Sequence, residues 1–151
     1  STTMLNLIDE LRHRNRLQVA TNNAETFRRL AALDSVQPLL IGGSLDRRTD
    51  NLVGALALRS ALAIAFDAAF FSCWGLTAEL GPMELTIEDA EVKDVISGRS
   101  RQVFLGVDHE KLGVTAAGAW RPDRAKTRLA TDLSPQDERL AGFEELFAAC
   151  E

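Results

Sequence analysis

Short apolar runs alternate with amphipathic stretches along the whole chain, and this alternation constrains the fold more than any single motif does. Met4, Leu5, Leu7, Ile8 and Leu11 form the apolar stripe of a first helix that starts near residue 1. Leu17-Gln18-Val19-Ala20 then reads as a short buried strand. Thr21-Asn22-Asn23 behind it are good N-cap types for a helix with Phe27, Leu30 and Leu33 on its inner side. Residues 38–41 repeat the pattern as a strand stopped by Gly42-Gly43, and after a polar loop the Ala/Leu-rich stretch 52–65 predicts another helix. A third strand is expected over 68–73. Thr86-Ile87-Glu88-Asp89 has the spacing of a capping box and predicts a helix over 87–97, followed by strands over 102–107 and 127–130. Ser134 and Pro135 suit the start of a terminal helix whose stripe is Leu140, Phe143, Leu146, Phe147 and Cys150. Strands separated by amphipathic helices indicate an α/β fold, a mainly parallel sheet with helices on both faces. The length of 151 residues suits one domain, taken here as 1–151.

Composition narrows the function. Seventeen Lys and Arg against 22 Asp and Glu leave a net charge of -5, which opposes sequence-independent binding to a phosphate backbone. Charged residues such as Arg59 and Asp67 interrupt the longest apolar stretches, so no membrane span is expected. The N-terminus shows no signal-peptide pattern. Cys73 and Cys150 lie far in sequence from His13 and His109, so neither a disulfide framework nor a zinc spacing assembles. A cytoplasmic protein without a metal or other cofactor fits best.

In an open parallel sheet, ligands bind beyond the carboxyl ends of the strands, where loops and helix N-termini present free backbone N–H groups. Thr21-Asn22, Gly42-Gly43, Trp74-Gly75 and Asp108 each follow a predicted strand and are expected on one rim. Glycines and helix starts favour anions there. Spacing alone does not choose among phosphate, nucleotide and carboxylate.

Thr2-Thr3, Val19-Ala20-Thr21-Asn22, Leu40-Ile41-Gly42-Gly43, Asp67-Ala68-Ala69-Phe70, Glu91-Val92-Lys93, Asp108-x-x-Lys111-x-Gly113 and Thr131-Asp132 occur in this order. The series resembles the C-terminal sensor domain of DeoR-type bacterial transcriptional regulators and covers most of the chain. The resemblance implies a Rossmann-like fold similar to ribose-5-phosphate isomerases and coenzyme A transferases, here binding a phosphorylated sugar effector. It further implies a repressor of sugar metabolism that reaches DNA only through an N-terminal helix-turn-helix domain absent from these residues, with the chain starting inside the Ser/Thr-Thr loop that opens the sensor. Three departures stand out: Cys73 and Trp74 precede Gly75 where small residues are usual, Asp89 replaces a glutamate, and the residues before Ser1 that complete the phosphate loop are missing.

The ligand-binding residues that the resemblance implies are Thr2, Thr3, Thr21, Asn22, Gly42, Gly43, Asp67, Gly75, Lys93 and Lys111. Each has a plainer role: Thr2, Thr3, Thr21 and Asn22 as helix caps, Lys93 as a solvated partner of Asp89, Lys111 as a surface lysine, and Asp67 as a polar strand boundary. The rival function is a sugar-phosphate isomerase, with Asp89 and Glu91 as a candidate carboxylate pair for enediol chemistry. The isomerase-type Asp-Gly-Ala-Asp string is absent, and a non-enzyme is expected. His13 and His109 read as loop and helix-end residues, and Cys73 as packing. A homo-oligomer is expected, since such regulators act on paired half-sites. The terminal stripe is its candidate surface, although packing against the parent sheet is the favoured explanation of the stripe, because helices in such folds must cover a sheet face.

Overall fold

The computed structural model describes residues 2–14 and 16–150, with the backbone alone for 2–6 and 149–150. The chain divides into two compact units, Ser1–Ala63 and Ile64–Glu151. The first contains α1 (Thr2–Leu11), β1 (Leu17–Thr21), α2 (Ala24–Ala31), β2 (Val36–Leu40), β3 (Ser44–Asp46), β4 (Asn51–Val53) and α3 (Ala55–Leu62). Strands β1 and β2 pair in parallel from Leu17↔Val36 to Thr21↔Leu40, with α2 as the crossover that parallel strands require. Asn23 caps α2 by accepting the Thr26 N–H at 2.8 Å. Ile8, Leu30, Leu33 and Val36 form the core of this unit. Pro38 lies within β2, opposite Val19. Among the described strands β2 pairs only with β1, so the missing N–H of Pro38 leaves no gap in a ladder.

The helix expected over 52–65 starts later. Residues 51–53 become β4, the antiparallel partner of β3, and Gly54 at φ 89° turns the chain into α3. That left-handed φ is open to glycine at little cost.

The second unit contains β5 (Phe66–Ser72), β6 (Gly75–Thr77), β7 (Gly81–Glu84), α4 (Ile87–Gly98), β8 (Ser100–Val107), β9 (Gly118–Ala119), β10 (Thr127–Thr131) and β11 (Ala149–Cys150). Its main sheet has the order β11-β10-β8-β5 and is parallel throughout. A smaller antiparallel sheet, β6-β7-β9, lies beside α4, whose N-cap Thr86 accepts the Asp89 N–H at 3.1 Å. Val103, Leu105 and Val107 alternate along β8 onto the buried face, as strand periodicity demands. Leu105 and Val107 belong to a core with Leu76, Trp120, Leu129 and Phe143. The molecule is thus an α/β fold of parallel sheets flanked by helices, and no helix among the described residues is long and apolar enough to cross a membrane.

The terminal helix expected from Ser134 onward does not form. Ser134 closes a local turn, its Oγ accepting the Gln136 N–H at 3.4 Å, and Asp137 caps a single 3-10 turn over Glu138–Leu140. Three-residue turns continue the chain, with Phe143 N–H donating to Leu140 O at 3.1 Å and Leu146 N–H to Phe143 O at 3.0 Å. Gly142 at φ 87° interrupts any helix. A spacing of three between Leu140, Phe143 and Leu146 satisfies successive turns as well as a helix, so the apolar stripe did not distinguish them. Leu140, Phe143 and Phe147 are all buried in the core of their own unit, and Cys150 falls in β11, its side chain outside the described residues.

Candidate functional site

Each unit has a carboxyl rim of parallel strands. In the first, Thr21 ends β1, and its carbonyl accepts the Ile41 N–H at 2.8 Å just before Gly42-Gly43, so the two candidate pairs are neighbours in space. Most of their polar groups are engaged internally. Thr21 Oγ1 accepts the Asn23 N–H at 3.1 Å, and Asn22 Nδ2 donates to Leu52 O at 3.1 Å. A Cβ at Gly43 would stand 2.6 Å from Val53 O, so only glycine lets the hairpin strand pass; at Gly42 the same position is open. Thr2 and Thr3 fall in α1, and their side chains lie outside the described residues.

The rim of the second unit collects the charged candidates. Lys93, projecting from α4, donates to Ser72 O at 2.6 Å at the end of β5 and pairs with Glu84 Oε1 at 2.7 Å. Two of the three donors of its ammonium group are thereby engaged. Trp120 Nε1 donates to the same Glu84 oxygen at 3.2 Å. Burial pushes the Glu84 carboxyl above its usual range, against the opposing pull of Lys93 and Trp120. The partner of Lys93 is therefore Glu84 from β7, rather than the Asp89 that helix spacing suggested. Glu84 was missed; the available signal was one carboxylate in an otherwise apolar strand. Asp89 and Glu91 do not form a pair of like environment, since Asp89 is buried and Glu91 exposed.

Lys111 lies in a 3-10 turn beyond β8, with Nζ 3.7 Å from Asp108 Oδ2. Asp108 Oδ1 is buried without a hydrogen-bond partner. Strands β5 and β8 are adjacent, with Ser72 opposite Gly106, so Lys93 at the end of β5 and Lys111 beyond β8 both stand at the carboxyl end of this sheet. The Cys73 thiol is pushed up to about 12, chiefly by burial and next by the Glu84 charge, so it remains protonated and unreactive near neutral pH. Gly75 begins β6 where the Val114 backbone crosses so closely that a Cβ would collide with the Val114 carbonyl. Trp74 beside it is half-exposed.

The fold sets Asp67 apart. It is the second residue of β5, about 16 Å along the strand from Ser72 at the carboxyl end. Its side chain is 96% exposed and pairs with Arg101 at 3.6 Å.

One further pair was not anticipated. Asp132, immediately after β10, accepts the His109 N–H at 2.9 Å and lies 2.6 Å from His109 Nδ1. Both residues are about half-exposed. The hydrogen bond to Asp132, and then its charge, raise the His109 pKa above the ordinary imidazole value. Among the described residues no group of three or more His, Cys, Asp or Glu has the arrangement of a metal site.

The family model of the DeoR C terminal sensor domain matches residues 1–132. The HTH-type transcriptional regulator GolR of Listeria innocua serovar 6a is 29% identical over 119 residues, which are 79% of this chain and 47% of that protein. The HTH-type transcriptional regulator IolR of Bacillus subtilis (strain 168) is 26% identical over 121 residues, 80% of this chain and 48% of the relative. The glycerol-3-phosphate regulon repressor of Escherichia coli (strain K12) is 28% identical over 106 residues, 70% and 42%. The chain thus spans less than half the length of these relatives. With parallel strands, loops at their carboxyl ends and a family match over residues 1–132, the chain belongs to the DeoR C-terminal sensor domain family.

Proposed function

We propose that this chain is the effector-sensing part of a transcriptional repressor of sugar metabolism and that it binds a phosphorylated sugar or polyol. The observation that supports this most is the placement of Lys93 at the end of β5 and Lys111 beyond the adjacent β8, at the carboxyl rim of the second unit, where a lysine acts on phosphate as a point charge. The name of the Escherichia coli relative, a glycerol-3-phosphate regulon repressor, points to the same ligand chemistry. The first unit, taken by itself, offers Gly42 and the backbone around Thr21 and Asn22 as candidate anion contacts, whereas Asp67 lies far from the carboxyl end of β5. Gly75 is needed for chain crossing and serves the site through the shape of its backbone.

The protein acts in the cytoplasm as a homo-oligomer and meets DNA through a helix-turn-helix domain outside these residues. It is not an enzyme. A panel of aldose and polyol phosphates, read by thermal shift and by turnover, tests this reading. Stabilisation without turnover is expected. Steady isomerisation would replace it with the enzyme reading, and no shift with any phosphate would remove the ligand class. Light scattering that finds a strict monomer at every concentration would defeat the proposed assembly.

A further inference from the structure

The His109–Asp132 pair has a geometry that its position makes consequential. Strands β8 and β10 are adjacent and parallel, with Val107 opposite Thr131, so Asp108-His109 and Asp132 leave the sheet together at its carboxyl end. Asp132 grips His109 twice, at the backbone N–H and at Nδ1, and Thr131 Oγ1 donates to Asp132 at 3.3 Å. With Nδ1 held by the carboxylate, the free ring nitrogen Nε2 is the one left for another partner. The ring is accessible, its side chain being 47% exposed.

The groups facing His109 are few. Asp137 and Arg139, from the turn over residues 138–140, pair with each other at 2.8 Å, and Arg139 holds the Asp137 carboxyl down at about 2. On its own loop stand Glu110 and the Asp108–Lys111 pair. Among these groups the imidazole is the one whose ordinary titration falls within about pH 5 to 8. When it carries a proton, the pair with Asp132 is neutral and offers an N–H donor. When it does not, the pair is net negative and repels an anion.

We propose that His109, oriented by Asp132, is a proton-gated anion contact of the ligand rim, so that the chain holds its anionic effector while the imidazole is protonated and weakens its hold as the proton leaves. This rests on the proposed binding of a phosphorylated ligand at that rim. Asp132 is the positioning residue. The hydrogen bond to Asp132 raises the His109 pKa and so moves the gate upward in pH. Affinity is therefore full below the His109 midpoint and falls as pH rises through it.

The test uses inorganic sulfate, which stays a dianion across the neutral range and so contributes no titration of its own. Ring resonances of His109 are followed by NMR in the whole chain, with His13→Gln removing the other histidine signal. Without sulfate, the His109 midpoint is expected to drop in Asp132→Asn, because the hydrogen bond and charge that raise it are lost. Binding and protonation are reciprocal, so saturating sulfate should raise the wild-type midpoint, and sulfate affinity should fall about tenfold per pH unit above it. Sulfate that perturbs Lys111 but leaves the His109 midpoint in place would overturn this inference and leave the proposed function standing. Sulfate that perturbs neither residue, together with a phosphate panel that produces no thermal shift, would remove both. An unchanged midpoint in Asp132→Asn would overturn the positioning role. Should that variant not fold, the sulfate dependence of the wild-type midpoint decides alone.

Discussion

At the scale of single residues, the buried charges decide most. Glu84 is 7% exposed and Lys93 18% in its side chain, so the Glu84 carboxylate depends on Lys93 to offset the cost of its burial. Replacing Lys93 with Met leaves Glu84 buried and uncompensated. A loss of about 3 kcal/mol in urea unfolding is expected, with most of it recovered in the double variant Lys93→Met/Glu84→Gln. The pH dependence follows from the direction of the Glu84 shift. Its folded-state pKa lies above the ordinary carboxyl value of 4.5, so the folded state binds more protons than the unfolded state in that window. Stability from this group therefore falls as pH rises from 4.5 through the folded value. Asp132 and Asp137, whose pKa values are lowered, act oppositely, losing stability only as pH falls below 3.8. Denaturation of wild type and Glu84→Gln across pH should thus show the variant gaining on wild type above 4.5; a constant difference would refute the shift.

At the scale of elements, the segment after β10 separates two readings of one apolar spacing. A glycine inside an exposed helix is stabilised by alanine, by about 1 kcal/mol. Gly142 instead has φ 87°, and a Cβ there would find room, its nearest neighbour being Ala78 Cβ at 3.7 Å. The cost of alanine is therefore backbone strain alone. Gly142→Ala should destabilise by about 1 kcal/mol, measured as a lower urea midpoint. A stabilised variant would restore the terminal helix. The other elements were legible because their signals are local: Asn23 and Thr86 cap helices through their own side chains, and β8 alternates onto its core. The antiparallel strands β3, β4, β6, β7 and β9 were not, since runs as short as Ser44–Asp46 and Gly118–Ala119 carry no readable periodicity and exist through their partners.

At the scale of the whole molecule, the net charge of -5 sets how the chain meets a polyanion. The basic residues Arg121, Arg124, Lys126 and Arg128 form no isolated patch; Lys126 donates to Ser100 O at 3.0 Å and Arg124 to Glu144 O at 3.2 Å. This chain alone is expected to give no sequence-selective, salt-sensitive gel shift with operator DNA. Such a shift would place DNA contacts inside the sensor itself. Phe147, once a candidate for the oligomer surface, is 5% exposed within the core of its unit, so Phe147→Glu would report on folding before assembly.

Apolar periodicity and capping residues by themselves determined the α/β class, the places of β1, β2, β5, β8 and β10 along the chain and the loops that end them, because each of those signals lies within a few consecutive residues. The partners were settled only by the tertiary structure. Lys93 with Glu84, Trp120 with Glu84, and His109 with Asp132 join residues that the chain keeps apart and strand pairing brings together. A sequence pattern records which residues are buried, whereas the charge each buried group meets depends on sheet register, and that register emerges only when the whole sheet packs.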